Sequence, residues 1–437
     1  MTSERLLLIN PPFPRKVAGV PLQLLYLAAA TKNAGIETQL LDLDVEEESS
    51  RESILEKTLK DYKPTHVGVT SYSPNYPESL DILKTIKRTN PSIVTISGGP
   101  HEIAMNGYGR TSEFIDHRIT STFGENDLLQ LLGLEKRISN RETLFPAFEL
   151  IKDHPQYQFD SELFGGRRMT QILTATGCNQ KCDFCSAQQE YIPFRKDTVA
   201  VQLEKLIDLG YKAVFFNDPN FTNPYREKSL QPVENSDVYR RIKDLMCGLI
   251  DLGINQELVW GCQTKATMVN PELLDLMADA GNRYITYALE NVDKVSLIEM
   301  VKGITPEKVQ RAIDLSKERG IKTGLYVMLG TKKDKEEDFE VAQKTLDFVE
   351  VLQPNYLSIS ILANYPMLDR SKPGERKHMQ LDYANQRYSR EPIWLGFDEG
   401  WGAYHPNTDV QQATRYKQEI DKRTIEKPNI WNKIRRF

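Results

Sequence analysis

Short apolar runs alternate with longer amphipathic stretches over roughly the first 130 residues. Four runs read as buried strands, at 6–9, 37–43, 66–70 and 93–96. Helical spacing of apolar residues follows two of them, over 22–34 and 80–88. Strands separated by amphipathic helices indicate βαβ units and therefore a parallel sheet. In such a sheet we expect a ligand to bind at the carboxyl ends of the strands.

A second series of the same kind occupies the middle of the chain. Its strand candidates lie at 171–174, 213–216, 258–263, 284–289, 322–328 and 356–361. Helical patterns fall between them, for example at 199–209, 271–280, 306–319 and 336–351. Six βα repeats predict a partial barrel of the (β/α)6 kind, shorter than the eight repeats of a complete barrel. The predicted fold class is therefore α/β, with a Rossmann-like parallel sheet followed by this partial barrel.

These patterns divide the chain into four predicted segments. The Rossmann-like domain covers 1–133, a linker covers 134–168, and the partial barrel covers 169–367. Residues 368–437 form a polar, aromatic-rich C-terminal extension whose fold the pattern does not indicate. Its basic end, at 433–436, is expected to be a solvated tail.

Composition narrows the range of functions. The chain has 40% hydrophobic and 27% charged residues and a formal net charge of −5, which is typical of a soluble globular protein. No stripe of Lys and Arg interleaved with aromatics is present, so we expect no nucleic-acid partner. The apolar run at 6–9 is too short for a signal-peptide core or a membrane span. We therefore expect no membrane association and a cytoplasmic location.

Three of the five cysteines lie within eight residues of one another, at Cys178, Cys182 and Cys185. An odd, bunched set favours a metal or redox site over a disulfide framework. Thiolates are the natural ligands of iron–sulfur clusters, and three of them would leave one iron open. The alternative is zinc, although structural zinc uses four ligands and Cys247 and Cys262 could join only through long-range folding.

The spacing Cys-x-x-x-Cys-x-Phe-Cys, directly after the first strand of a six-repeat barrel, resembles the radical S-adenosylmethionine (SAM) superfamily. The resemblance covers residues 168–367. It implies a [4Fe–4S] cluster on Cys178, Cys182 and Cys185, with SAM chelated by the open iron. It also implies reductive cleavage of SAM to a 5′-deoxyadenosyl radical that abstracts hydrogen from a small-molecule substrate. A reductase, flavodoxin or ferredoxin would donate the electron.

The same resemblance implies contacts with SAM. Phe184 matches an aromatic residue near the adenine, unless it is a core residue. Asp218 and Asn220 match a segment near the methionyl group, although both could instead cap a turn. Gln263, or its neighbour Lys265, is expected to point into the barrel. Tyr287-Ala288-Leu289-Glu290-Asn291 resembles the family's Gly-x-Glu-Ser signature, which makes Glu290 a candidate SAM contact. The loop at 331–335 departs from the family's Pro-Gly-Glu-Thr.

Residues 5–133 resemble the cobalamin-binding-type Rossmann domain that precedes many radical SAM barrels. The matching stretches are 10–12 with 20–29, 97–101, and 124–127. The Asp-x-His-x-x-Gly motif, whose histidine coordinates cobalt in some cobalamin proteins, is absent from the first strand–helix loop. His101 is expected to be an ordinary loop histidine. The resemblance leaves cobalamin binding open and implies no protein imidazole on any bound cobalt.

Three functional hypotheses follow. With cobalamin, the family implies methylation of an unactivated carbon, as in natural-product biosynthesis. Without it, the family implies another radical reaction, such as dehydration, epimerisation, rearrangement or transfer of a different SAM fragment. A non-catalytic metal-binding module would need neither Glu290 nor the Asp218 segment.

Overall fold

The structure is a computed structural model of the full chain. It describes residues 4–13, 19–106, 112–135, 137–152, 157, 160–185, 187, 190–222, 237–362, 367–368, 376–377, 410–431 and 434–436. The chain divides into two compact units, with the boundary after Tyr157 and the C-terminal helices in the second unit. This boundary falls inside the segment 134–168 that the sequence indicates as a linker. The two units are described separately.

The first unit is built on a five-stranded sheet with the order β2-β1-β3-β4-β5. All neighbouring strands are parallel. This arrangement confirms the predicted Rossmann-like sheet. The strands are β1 (Arg5–Asn10), β2 (Glu37–Asp42), β3 (His66–Thr70), β4 (Val94–Gly98) and β5 (His117–Arg118). The helices are α1 (Leu22–Asn33), α2 (Arg51–Tyr62), α3 (Tyr76–Thr89), α4 (Pro100–Ala104) and α5 (Gly124–Leu131).

Helix α2 was not predicted from the sequence pattern. It is rich in charge and buries only Leu55, Leu59 and Tyr62. Such a narrow apolar stripe is a weak signal, because the hydrophobic periodicity of a helix is normally carried by a wider face. Tertiary contacts hold it instead, since the hydroxyl of Tyr62 donates to the carbonyl oxygen of Glu37 at 2.9 Å.

The second unit contains the predicted partial barrel. Its sheet has the strand order β17-β14-β13-β12-β11-β10-β7-β6, in which β17 is the C-terminal strand Ile434–Arg436. The six predicted strands are all present within this sheet. Every neighbouring pair is parallel except β6 with β7. A separate antiparallel pair, β8 with β9, lies beyond the end of β7. The strands up to β14 are β6 (Asp160–Ser161), β7 (Arg167–Ile172), β8 (Ala175–Thr176), β9 (Ile192–Pro193), β10 (Ala213–Phe216), β11 (Val259–Thr264), β12 (Asn282–Glu290), β13 (Lys322–Leu329) and β14 (Tyr356–Ile361).

Helices connect these strands, as a βα-repeat architecture requires. They are α6 (Lys196–Asp208), α7 (Asp237–Asp251), α8 (Ile254–Glu257), α9 (Pro271–Asp279), α10 (Lys294–Glu299), α11 (Pro306–Glu318) and α12 (Lys335–Leu352). The loop that departs from the family pattern leads directly into α12. There the side chain of Asp334 accepts hydrogen bonds from the backbone N–H groups of Glu336 and Glu337 and so caps the helix.

The C-terminal end corrects one expectation from the sequence. After the short antiparallel strands β15 (Met367–Leu368) and β16 (Arg376–Lys377) come helices α13 (Val410–Glu426) and α14 (Pro428–Trp431). They are followed by β17 (Ile434–Arg436), which pairs in parallel with β14. The expected solvated tail is therefore wrong, because the unpaired edge of β14 offers backbone hydrogen bonds that this segment takes up.

Helix α13 is anchored to α12 by charged groups. The guanidinium of Arg423 lies 2.8 Å from the carboxylate of Asp347 and 3.1 Å from that of Glu350. The indole N–H of Trp431 also donates to Glu350 at 3.0 Å. Most other aromatic residues of the extension lie outside the described residues. None of the helices that the described residues form combines the length and apolar character needed to cross a membrane.

Candidate active site

The cysteine loop leaves β7 and is closed at its base by a short ladder. In this ladder Ala175 pairs with Pro193 and Thr176 with Ile192. Gly177 then adopts φ +73°, a left-handed conformation that favours glycine, immediately before Cys178. The turn at Gly177 and the ladder together fix the position at which the cysteine loop starts.

Asp218 holds the start of this loop. Its Oδ1 accepts hydrogen bonds from the backbone N–H groups of Thr174 at 2.7 Å and Ala175 at 3.1 Å. Arg241, on α7, donates to the carbonyl oxygen of Thr174 at 2.8 Å. Burial raises the pKa of Asp218, while the Arg241 charge and these hydrogen bonds oppose that rise. The carboxylate is thus directed at the backbone that leads into the cysteine loop.

One cavity brings together most of the residues predicted from the sequence. It is formed where several strands of the second unit end, the edge at which barrel enzymes place their sites. Asp218 is the predicted residue that does not line it, and its contact with SAM stays a prediction. The predicted residues on the cavity wall are Cys178, Cys182, Phe184, Cys185, Asn220, Gln263 and Glu290.

The three thiols are withdrawn from solvent. Cys178 and Cys182 are buried, and Cys185 is partly buried. Burial raises the pKa of Cys178 to about 11, and the neighbouring thiols add to the rise. Burial likewise raises the pKa of Cys185. Among the described residues, no three Cys, His, Asp or Glu side chains stand in an arrangement that would already hold a metal ion. The donor set still fits an iron–sulfur cluster, because metal binding deprotonates thiols and organises the ligands at the same time.

Glu290 ends β12 in a strained conformation. Its φ is +59°, and the pairing of β12 with β13 shifts register between Ala288 and Glu290. Its Oε1 accepts a hydrogen bond from the Nζ of Lys302 at 2.6 Å, and both residues are less than a tenth exposed. The Lys302 ammonium also lies 5.5 Å from the centre of the Phe184 ring. Burial alone would lower the pKa of Lys302, but the Glu290 carboxylate and the nearby thiols outweigh it and raise the pKa.

Lys302 was missed in the sequence analysis. It follows α10 in the segment Met300-Val301-Lys302-Gly303, which matches no motif and looks like an ordinary surface turn. Only the backbone path shows otherwise, because Val301 and Gly303 both have positive φ and place Lys302 inward. No local signal in the sequence would have identified it.

Polar side chains from several strands are linked by hydrogen bonds at the cavity. The hydroxyl of Tyr326 donates to Gln263 Oε1 at 2.9 Å, and Gln263 Nε2 donates to the carbonyl oxygen of Asp218 at 2.9 Å. Burial raises the pKa of Tyr326 to about 12, so the phenol stays protonated. Asn220 Oδ1 accepts from the hydroxyl of Thr264 at 3.0 Å. These bonds fix the orientation of Gln263 and Asn220.

Lys265 also lines the cavity, so both alternatives predicted from the third strand point inward. Its Nζ donates to Gln180 Oε1 at 3.0 Å. Burial lowers the pKa of Lys265, whereas the Cys182 thiol acts in the opposite direction. Cys262, by contrast, is fully buried on β11 and is not on the cavity wall. It is a small residue of the core.

The carboxyl edge of the first sheet has small and polar residues. Gly99 has φ +102°, and a Cβ there would lie 2.7 Å from the carbonyl oxygen of Ser71, so only glycine fits. Asn75 is fully buried, and its Nδ2 has no hydrogen-bond partner among the described residues. An open α/β sheet binds its ligand at this edge. A buried amide with unused donor capacity and close backbone crossings are compatible with a cofactor such as cobalamin.

His101 does not offer its imidazole to a ligand at this edge. The side chain is 3% exposed, its Nδ1 lies 3.1 Å from the hydroxyl of Ser73, and its ring stacks on Tyr76 with centroids 3.9 Å apart. Burial lowers its pKa to about 3, so the ring is neutral. His101 lies in the first turn of the short helix α4 rather than in an open loop.

Comparisons with known proteins agree with this geometry. The model of the radical SAM superfamily matches residues 172–346, and that of the B12 binding domain matches residues 15–116. An uncharacterized methyltransferase, PH0819 of Pyrococcus horikoshii, is 23% identical over 404 residues, covering 84% of this chain and 82% of that protein. Cytidylyl-2-hydroxyethylphosphonate methyltransferase of Streptomyces wedmorensis is 22% identical over 517 residues, covering 98% and 87%.

Solved structures support the fold. The radical SAM methyltransferase TsrM of Kitasatospora setae, with tryptophan and a SAM analogue bound, gives a TM-score of 0.60 at 20% identity, covering 82% of this chain and 73% of that one. The cobalamin-dependent radical SAM enzyme OxsB gives 0.60 at 16% identity, covering 80% and 52%.

Residues 172–346 form a radical SAM domain. The protein is an enzyme, and residues 15–116 match the B12 binding domain. The radical SAM domain implies a [4Fe–4S] cluster and SAM as cofactors, and the match to the B12 binding domain supports cobalamin as a third. The comparisons favour the iron–sulfur interpretation of the three cysteines over zinc.

Proposed function

We propose that the protein is a cobalamin-dependent radical SAM methyltransferase that methylates a carbon of a small-molecule natural product. The observation that carries the proposal is the single cavity shared by Cys178, Cys182 and Cys185 with Phe184 and Glu290. It occurs in a chain whose first unit matches the B12 binding domain. When bound, the cluster and SAM supply a radical that removes hydrogen from the substrate, and cobalamin supplies the methyl group.

The chain's own residues bind and orient in this scheme. Cys178, Cys182 and Cys185 hold the cluster, and the partly buried Phe184 ring offers an apolar surface for the adenine of SAM. Asn220 and Glu290 present polar groups to the same cavity. Asn220 and Glu290 are each only 5% exposed, so their electrostatic interactions are stronger than they would be in bulk water.

The names of the relatives support methyl transfer. Besides the two methyltransferases above, the hopanoid C-3 methylase of Methylococcus capsulatus is 23% identical over 395 residues, covering 83% of this chain and 70% of that protein. The electron needed for SAM cleavage would come from a reductase, flavodoxin or ferredoxin.

A second candidate function is a radical reaction other than methylation. One relative, the anaerobic magnesium-protoporphyrin IX monomethyl ester cyclase of Rubrivivax gelatinosus, is 25% identical over 380 residues, covering 78% of this chain and 65% of that protein. Its name describes a cyclisation, so this architecture is compatible with more than one reaction.

The test uses full-length protein, purified and reconstituted without oxygen in the presence of cobalamin. Incubation with reductant, SAM carrying a deuterated methyl group and pools of small-molecule extracts should yield 5′-deoxyadenosine, S-adenosylhomocysteine and a product with a mass increase from the labelled methyl. The variant Cys182→Ser should yield neither 5′-deoxyadenosine nor labelled product. If 5′-deoxyadenosine forms but equilibrium dialysis shows no retained cobalamin and no labelled product appears, the second candidate replaces methylation.

A further inference from the structure

Two lysines enter the same cavity as the three thiols. Lys265 extends from the end of β11, and Lys302 extends from the turn that follows α10. The ammonium of Lys265 reaches the turn that carries Lys302, because a Cβ built on Gly303 would lie 3.2 Å from the Nζ of Lys265. The cavity therefore holds two cationic side chains side by side.

A strained backbone conformation places Lys302 in the cavity. Val301 has φ +51°, which is rare for a β-branched residue and persists only where the surrounding structure enforces it. The result is a turn that leaves Val301 53% exposed and Lys302 8% exposed. The same turn is joined to the cysteine loop, since the backbone N–H of Asp183 donates to the carbonyl oxygen of Met300 at 3.0 Å. Strain of this kind often accompanies function.

The two lysines differ in how their charge is balanced. Lys302 is paired with Glu290 at 2.6 Å. Lys265 contacts the neutral amide of Gln180 at 3.0 Å. Among the described residues on the cavity wall, Glu290 is the one carboxylate. The wall therefore carries one more positive than negative side chain before the thiols are counted.

We propose that Lys265 and Lys302 raise the reduction potential of the [4Fe–4S] cluster, and that Glu290 offsets the contribution of Lys302. This inference depends on the [4Fe–4S] cluster of the proposed function. Lys265, Lys302 and Glu290 are positioning residues here, because they place charge near the cluster. Reduction adds one electron to the cluster and no proton, so its net charge becomes more negative by one. A fixed cation nearby stabilises the reduced form, and net charge around a cluster is among the factors that set its potential.

The test is a potentiometric titration of the full chain, with its cluster reconstituted and without SAM or cobalamin, followed by the electron paramagnetic resonance signal of the reduced cluster. For Lys265→Gln we expect the ratio of reduced to oxidised cluster at a fixed potential to fall about tenfold, which is about 59 mV for one electron. Lys302→Met should also lower the ratio. Glu290→Gln should raise it, because Lys302 would then be uncompensated.

A matched control is Lys181→Gln. Lys181 is an exposed lysine of the same cysteine loop and is not on the cavity wall. Its removal should change the ratio by less than about twofold, because solvent and salt screen an exposed charge. Lys265→Arg keeps the positive charge, so the ratio of reduced to oxidised cluster should equal that of the unmodified protein.

Because Lys302→Met leaves Glu290 unpaired, the double variant Lys302→Met/Glu290→Gln provides a second measurement. It removes one charge of each sign and should restore the ratio to within about threefold of the unmodified protein. If Lys265→Gln and Lys302→Met behave like Lys181→Gln, the proposal is overturned. It is equally overturned if these variants weaken SAM binding at an unchanged potential, since the lysines would then be SAM contacts. Absence of any cluster in the unmodified chain would instead refute the proposed function.

Discussion

The buried pair between Lys302 and Glu290 permits a quantitative test of how the cavity is held together. Replacing Lys302 with Met removes the ammonium that lies 2.6 Å from the Glu290 carboxylate. Breaking a buried ion pair by removing one partner costs about 3–5 kcal/mol, mainly because the remaining charge is left without a partner. The cavity gives Glu290 some access to water, so we expect the lower end, about 3 kcal/mol. This corresponds to roughly a 150-fold change in an opening equilibrium.

Hydrogen exchange is the suitable assay, because two-state unfolding does not apply to a chain with two compact units. Peptides covering β12, without the cluster and at neutral pH, should exchange about 150-fold faster in Lys302→Met, provided that this strand normally opens with its whole unit. The double variant Lys302→Met/Glu290→Gln should recover most of this loss, since neither charge of the Lys302–Glu290 pair then remains. If the single variant costs less than about 1 kcal/mol, the pair is solvated and the reasoning about its burial is wrong.

Three further predictions follow. Cys182→Ala should remove most of the cluster iron, whereas Cys262→Ala should retain it; the opposite result in iron assays of reconstituted protein would refute the ligand assignment. Asp218→Ala should lower iron per chain before any SAM is added, because the backbone N–H groups of Thr174 and Ala175 lose their acceptor; full iron content with weakened SAM binding would instead support a direct SAM contact. Burial lowers the pKa of His101 from 6.5 to about 3. The contribution of the buried neutral ring to the free energy of unfolding is therefore complete above pH 6.5 and is lost as the pH falls from there towards 3. At pH 5 the loss should be about 2 kcal/mol, measured by hydrogen exchange of β4 corrected for intrinsic rates, and His101→Gln should abolish this pH dependence; an unchanged dependence in the variant would place its origin elsewhere.

Much of the candidate site could be predicted because it is encoded locally. Cys178, Cys182 and Cys185 lie on one loop, so their spacing alone brings the thiols into one region. Phe184 lies on the same loop, and Gln263 and Glu290 end strands whose apolar runs mark them clearly. Since parallel strands share a carboxyl edge, their positions along the chain were enough to predict that they would meet.

The direction of each side chain was less predictable. Asp218 and Asn220 are two residues apart, yet Asn220 lines the cavity while Asp218 turns towards Thr174 and Ala175. The sequence cannot distinguish these outcomes, because a buried carboxylate goes where hydrogen-bond donors are available, and those donors lie 44 and 43 residues away.

The sequence by itself determined most of the central strands and the order of the two α/β units, because apolar periodicity and turn residues act over a few neighbouring positions. Tertiary structure alone decided the burial of Lys302 beside Glu290, the stacking of His101 on Tyr76, and the addition of Ile434–Arg436 to the sheet beside β14. Each of these depends on a partner supplied by another element, and β17 completes hydrogen bonds for a strand more than 70 residues earlier. A segment with little hydrophobic pattern of its own acquires its structure from that partner, so no local signal can reveal it.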